Sequence, residues 1–455
     1  MFDPASCAAR LYHDRHVIGY ASGNFGKAIF LGSIDVTLLF LLTDIIGLAP
    51  RQVGLLMLVV FAGDLVFDLG AGLVAARAAR RGIGYPRLVA LAALPCALAF
   101  GALYTLPLLG AHAFGLVAGL LLLQRGAFAL VDVPHNSLLA RVTTDSRARG
   151  RASGYRTLFS ATAAVVVATV VAPAMNVAAG AATPARMAWL GAGAGLLFCA
   201  TLLLAARAAR AAAGPRHAAA PDARAAWLPK PDGLCAALAA LALATGFAVP
   251  MFGKTMLYLC TYVLHDAGFA GRVLLVLALS QVAGAVLWIA LVRSRDKTVL
   301  LALSHGVAAL GIVLFAAAGN QRPALLACAA LAGVGLAGVF MLPWGILADA
   351  IDFAECRHRE RRETAAFAAM LVLLKAGGAA ALATIGWTLD RLGYVAGAEQ
   401  APAVLAGMRL LACGVPVLGS MLAILVLARM RVGDARHARV RGVIGRRRAR
   451  AMASS

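Results

Sequence analysis

Apolar residues run through this chain in blocks of about twenty, set apart by short polar stretches. A helix of that length rises about 30 Å, the thickness of a bilayer's hydrocarbon core. Twelve such spans can be drawn: 17–42, 52–75, 88–109, 112–139, 156–178, 187–206, 234–262, 271–292, 298–318, 324–346, 365–387 and 403–428. Backbone polar groups in lipid need internal partners, and blocks rich in Ala, Leu, Val and Gly find them as helices. The alternation of a membrane barrel is absent from the sequence. The expected fold class is an all-α membrane protein of twelve transmembrane helices.

One connection differs from the rest. Residues 207–232 read RAARAAAGPRHAAAPDARAAWLPKPD, rich in Pro, Ala and Arg and without an apolar block. Such a segment reads as a linker. It divides the chain into a six-helix bundle over 1–206, the linker at 207–232, a second six-helix bundle over 233–428 and a basic tail at 429–455. Two six-helix bundles about a central linker describe the major facilitator architecture, in which substrate binds near the midplane between the halves. No internal repeat is evident by inspection of the sequence.

Composition supports the membrane reading: 62% of the 455 residues are hydrophobic and only 14% charged. A net charge of +22 raises nucleic acid as a partner, but its placement argues against one. Outside the spans, 31 Lys and Arg residues fall in the N-terminal segment, the even-to-odd connections and the tail. The opposite set holds five: Arg51, Arg186, Arg322 and Arg391 in its connections, and Arg272 at the outer end of span 271–292. This positive-inside asymmetry places both termini in the cytoplasm. The nine arginines between Arg429 and Arg450 suit anionic lipid headgroups. Eight scattered cysteines make no CxxC pair or Cys/His ligand cluster, so no resident metal is expected. The charged first fifteen residues do not read as a cleaved signal peptide.

Charges at membrane depth each need a partner or a task, because insertion costs at least ~2.5–3.5 kcal/mol apiece. The candidates are Lys27, Asp35, Asp64, Asp68, Arg125, Asp132, Arg156, Lys254 and Lys375. Asp64 and Asp68 stand one helical turn apart in GDLVFDLG and share a face. Two carboxylates so close repel, so one tends to hold a proton or share a cation. Salt bridges to Arg125 or Lys375 are the plain structural alternative. Asp132 precedes Pro134 and His135, where a kink is expected. Arg125 lies two turns earlier on the same helix, placed to neutralise Asp132 or bind an anion. His135 reads as a satisfied bundle residue. Lys375 is expected to offset the acidic cluster of the other half.

Four segments then carry a resemblance. YASGNFGKAIF in span one, GDLVFDLGAGLVAARAARRGIGYPR in span two, VDVPHNSLLARVTTDSRARGRASGYR after span four and LADAIDFAECRHRERRETAAFAAMLVLLKAGGA near span eleven occur in order. The chain resembles the glycoside–pentoside–hexuronide:cation symporter family, the melibiose-carrier-like branch of the major facilitator superfamily. The resemblance implies that Asp64 and Asp68 form the cation-coupling pair. It implies Asp132, Arg156, Tyr155 and Lys375 at the substrate cavity; Asn136, at the position of a family aromatic, and Arg125, read from its spacing to Asp132, complete the expected substrate-binding set. It implies a cytoplasmic gate of Arg147, Arg149, Asp349, Asp352, Glu355 and Arg361, read as loop charges from different halves.

Departures from the family pattern bear on substrate and ion. Ala28 stands where the family carries a sugar-binding Asp. Asn136 replaces a sugar-stacking aromatic, Phe67 a cation-site Asn, Ala129 a Thr and Leu69 a Pro. Sodium, a hard cation, wants several oxygen ligands, by analogy with other hard cations. A proton needs one carboxylate. The expectation is therefore secondary active transport of a small polar solute, a sugar or glycoside, coupled to H+ in preference to Na+, with no cofactor. A monomer in contact with membrane lipids is expected, and no nucleic-acid partner. A carrier of lysolipid or another amphiphile and a non-transporting receptor remain open. A membrane enzyme is not expected, since HExxH, GxSxG and a phosphate-binding Gly-rich loop are absent from the sequence.

Overall fold

Twelve helices long and apolar enough to cross a membrane emerge among the described residues of the computed structural model. The structure describes residues 4–110, 112–138, 142, 146–175, 180, 183–212, 233–292, 294–358 and 363–430, with short stretches between 436 and 447. The spans are α1 (Arg15–Ile45), α2 (Pro50–Ala75), α3 (Tyr85–Thr105), α4 (Phe114–Ser137), α5 (Tyr155–Ala174) and α6 (Pro184–Ala211). There follow α7 (Ala236–Val263), α8 (Phe269–Leu291), α9 (Lys297–Ala317), α10 (Arg322–His358), α11 (Ala369–Arg391) and α12 (Pro402–Arg429). Each expected span meets its helix. The largest difference is α10, which continues well past residue 346 to His358. Asp349, Asp352 and Glu355 therefore stand on a helix, not on a loop as the sequence pattern suggested. The helix of α6 runs on to Ala212, and the rest of the expected linker, 213–232, lies outside the described residues.

The chain packs as two compact units. One comprises Met1–Pro221, Cys260–Gly271 and Gly386–Ala401. The other comprises Asp222–Leu259, Arg272–Ile385 and Pro402–Ser455. In the first, α1 packs on α5 and α6, α3 on α4 and α6, and α2 on α4. Phe30 of α1 centres this unit, with its ring 4.5 Å from Phe100, 5.2 Å from Phe128 and 4.8 Å from Phe198. Four helices thus meet at one aromatic cluster, each such pair adding roughly 0.5–1.5 kcal/mol beyond its buried area. In the second unit α9 packs on α10 and α12, and α7 on α12. There Trp288 of α8 is buried and donates to the Val334 carbonyl at 2.8 Å.

A local repeat, hidden at the level of the letters, becomes visible through backbone geometry. Residues 37–47 read TLLFLLTDIIG and residues 255–265 read TMLYLCTYVLH, 218 positions on. Both segments close a span with a π-helical turn, Leu41–Ile45 and Leu259–Val263. Thr37 and Thr255 each turn a hydroxyl back onto a carbonyl one turn earlier, at 2.7 and 2.6 Å. Both leave the helix through a left-handed residue, Gly47 at φ 83° and His265 at φ 50°. His265 is the one non-glycine with positive φ among the described residues. Glycine takes that conformation freely; histidine adopts it at some cost.

Candidate functional site

Charged side chains from three helices converge inside the first unit. Lys27 of α1 donates to Asp132 of α4 at 2.6 Å and to the Asn136 side-chain oxygen at 3.1 Å. Asn136 donates back to the second Asp132 oxygen at 3.0 Å. Arg156 of α5 donates from Nη2 to Asn136 at 2.8 Å and from Nε to Asn24 at 3.0 Å. The helical period makes this possible. Asp132 and Asn136 lie one turn apart on α4, and Asn24 and Lys27 nearly one turn apart on α1, so each pair shares a face. The lysine side chain is only 7% exposed, whereas that of Asp132 is 33% exposed. The network is thus rooted in the bundle and opens at its carboxylate.

Its base is built from rings. Tyr20 stacks on His135 with centroids 4.8 Å apart, and His135 Nε2 lies 3.2 Å from the Tyr20 carbonyl. Gly23 admits the imidazole, since a Cβ there would lie 2.6 Å from Nε2. The buried Tyr20 hydroxyl has no hydrogen-bond partner among the described residues. It stands close enough to Arg156 and Asp132 to feel both charges.

A second cluster joins α2 and α4. Arg125 forms a bidentate ion pair with Asp64, with Nε 2.7 Å from one oxygen and Nη2 on the other. Asp68, one turn along α2, and Asp35 of α1 both act electrostatically on that guanidinium. Phe67 fills the space beside it, its ring 3.4 Å from where a Gly126 Cβ would sit. Ala129 is buried. An aromatic ring therefore packs against α4 beside Arg125, and a bound metal cation would want oxygen there instead.

The sequence-derived assignments fare differently. Arg125 pairs with Asp64, one of the salt bridges the sequence offered as the plain structural alternative; its other reading, as the partner of Asp132, is corrected, because Lys27 pairs with Asp132. Asn136, a departure from the family pattern, turns out to be the junction of the network. Tyr155 is half-buried on α5, and Lys375 is exposed on α11 in the second unit. Asp349 pairs with Lys297 of α9 at 2.5 Å, a partner the sequence did not suggest. Asp352 and Glu355 are half-buried on α10. Arg147 and Arg149 lie on the helix Ser146–Val166, with side chains outside the described set, and Arg361 is outside the described residues. Two tail arginines meet the end of α10: Arg447 donates to the Cys356 carbonyl at 2.8 Å and Arg436 stands over the Phe353 ring at 5.9 Å. Among the described residues no His, Cys, Asp and Glu cluster has metal-binding geometry.

One cluster escaped the sequence altogether. Asp44, at the end of α1, accepts hydrogen bonds from Thr43 at 2.6 Å, from Tyr394 at 2.5 Å and from Tyr262. Tyr262 in turn accepts from the Gly397 N–H at 3.0 Å. Asp44 and Tyr262 occupy matching positions of the local repeat. Only that correspondence, LLTDI against LCTYV, could have flagged them.

A family model described as MFS/sugar transport protein matches residues 19–434. The chain belongs to this family. Inner membrane symporter YicJ of Escherichia coli (strain K12) is 24% identical over 391 residues, covering 84% of each protein. An uncharacterized symporter of Synechocystis sp., sll1374, is 34% identical over 112 residues, 24% of this chain and 20% of that protein. Among solved structures, a D-xylose-proton symporter superposes with a TM-score of 0.65 at 13% identity, covering 92% of this chain and 97% of that one. The nucleoside transporter NupG gives 0.62 at 12% identity, covering 91% and 100%. These structures speak for the major facilitator fold, as the sequence led one to expect. The MFS/sugar transport family is one of integral membrane transporters, not enzymes, and the expected symporter resemblance is borne out.

Proposed function

We propose that the protein is a secondary active transporter that moves a small polar solute, a sugar or glycoside, together with a proton. Asp64, Asp68 and Arg125 are the coupling cluster; Lys27, Asp132, Asn136, Arg156 and Tyr155 are the amino-half substrate contacts, with Lys375 the contact from the other half. The bidentate Asp64–Arg125 pair carries this reading. Arg125 neutralises Asp64, and one proton taken up and given back by Asp68 changes the charge of the cluster by one, a change that a low-dielectric pathway feels strongly. Phe67 and Ala129, which stand where the family pattern carries oxygen-bearing Asn and Thr, favour H+ over Na+, because a proton asks for a single carboxylate while sodium asks for a cage of oxygens.

The two bundles, 1–206 and 233–428, would rock about the site, with both termini cytoplasmic as the arginine asymmetry supports. Arg147, Arg149, Asp349, Asp352, Glu355 and Arg361 would hold the cytoplasmic end. The test is uptake of labelled sugars into proteoliposomes in sodium-free buffer. Imposing an inward proton gradient is expected to drive accumulation, and Asp68→Asn to abolish accumulation while leaving downhill exchange. Accumulation driven by sodium alone, or undiminished in Asp68→Asn, would refute the coupling assignment.

A further inference from the structure

We infer that Asp35 is the port of the coupling cluster, the carboxylate by which the coupling proton passes between water and Asp68; this rests on the coupling role proposed above. Two contacts set α1 against α4. Lys27 meets Asp132, and three residues further along α1 Phe30 stacks on Phe128. Residue numbers rise along α1 as they fall along α4, so the two helices run antiparallel. Carried about one and a half turns further, this register brings position 35 level with the turn of α4 that holds Arg125. The Arg125 guanidinium feels the charge of Asp35 together with those of Asp64 and Asp68. Asp35 is therefore a third carboxylate at Arg125, supplied by a third helix.

Exposure separates it from the other two. Asp64 is buried at 7% exposed, and both of its oxygens are taken by Arg125. Asp68 is half-buried, and Asp35 is exposed. Asp35 also ends a stripe of accessible positions on α1, Asn24, Ala28, Leu31 and Asp35, spaced four, three and four residues apart. The intervening Lys27, Phe30 and Ser33 are buried. The stripe does not look out on lipid. At one end Asn24 accepts the Nε hydrogen bond of Arg156 from α5. At the other end Asp35 lies beside Arg125 of α4. It is a lane inside the amino-terminal unit that joins the solute network to the coupling cluster.

Chains of carboxylates at membrane depth serve as proton relays, and a buried pair needs an accessible neighbour to trade protons with water. A proton from water adds to an Asp35 oxygen. It then passes to Asp68, directly or across one water. One O–H bond breaks on Asp35 and one forms on Asp68, so Asp35 is ionised again and ready for the next proton. Asp64 stays with Arg125 throughout, and no electrons change hands.

Proton arrival can be timed without any solute. Proteoliposomes are acidified in a rapid-mixing infrared cell while the protonated-carboxyl band is followed, and the part that Asp68→Asn removes is assigned to Asp68. In Asp35→Asn that part is expected to reach its usual amplitude, but about tenfold or more slowly, because only the route is lost. Asp35→Glu is expected to recover most of the speed. Leu31→Trp narrows the lane while keeping Asp35, and is expected to slow the band likewise. A residue that merely held the fold would change amplitude or melting temperature and not speed alone, so a melting curve in detergent accompanies each variant. Should Asp35→Asn not fold, Leu31→Trp decides alone. An Asp68 band that rises at the wild-type rate in the deciding variant would overturn the inference and leave Asp68 as the coupling carboxylate. So would a band lost altogether from Asp35→Asn while Asp68 is intact. If Asp68→Asn removes no part of the band, the coupling assignment falls and the port with it.

Discussion

Lys27 shows how a side chain can be both expensive and necessary at membrane depth. Its ammonium is held by Asp132 and Asn136, while its stem is buried against the bundle. Removing one member of such a pair strands the other, which costs more than removing both. Lys27→Met is expected to destabilise the protein by about 1–3 kcal/mol, the usual range for stranding a partly buried polar group. Lys27→Met combined with Asp132→Leu is expected to melt above the single variant. A melting series in detergent checks this, and a double variant that melts lower than the single one would show that the pair is not coupled. Arg125 teaches the complementary lesson. Sequence spacing left both Asp132 and the α2 carboxylates open as its partner, and the helix turns it toward Asp64. Spacing along one helix cannot say which neighbouring helix supplies the partner.

Glycine decides how closely the helices pack. A Cβ at Gly335 of α10 would stand 2.2 Å from the Ala308 backbone nitrogen of α9, and one at Gly311 would stand 2.4 Å from that of Ala332. Backbone cannot yield as a side-chain tip can, so small residues here allow the helices to meet. Gly335→Ala is expected to lower the melting temperature markedly, and Gly306→Ala, which faces open space, to leave it nearly unchanged. The ends of α1 and α7 add a polar fastening. Asp44 ties Tyr262 and Tyr394 into one cluster with Thr43. Tyr394→Phe removes a donor and leaves the ring. It is expected to speed amide hydrogen exchange in 260–271 and 386–401 while the core around Phe30 stays protected, as loss of a local fastening should. The helices themselves were legible because their apolar blocks are long. The α10 extension was not, because Asp349, Asp352 and Glu355 break the apolar run while leaving the helix intact, with Lys297 offsetting Asp349.

At the scale of the molecule, the charge distribution predicts sidedness. A cysteine at Ala398, in the connection after α11, is expected to react with an impermeant maleimide added to intact cells. One at Ala451 is expected to react only after permeabilisation; the reverse pattern would invert the assigned topology. Length and apolar blocks determined by themselves a twelve-helix membrane protein, and the 31-to-five division of basic residues predicts its orientation. Those properties depend on composition summed over long windows, which the chain displays in one dimension. The order of motifs also identified the transporter family and singled out Asp64, Asp68, Asp132 and Arg156 as candidates. Tertiary structure alone decided the pairings: Lys27 with Asp132, Arg125 with Asp64, Asn136 as a junction, and Asp44 with two tyrosines far along the chain. An ion pair at membrane depth forms between whichever helices pack side by side, and linear separation carries almost no information about that choice.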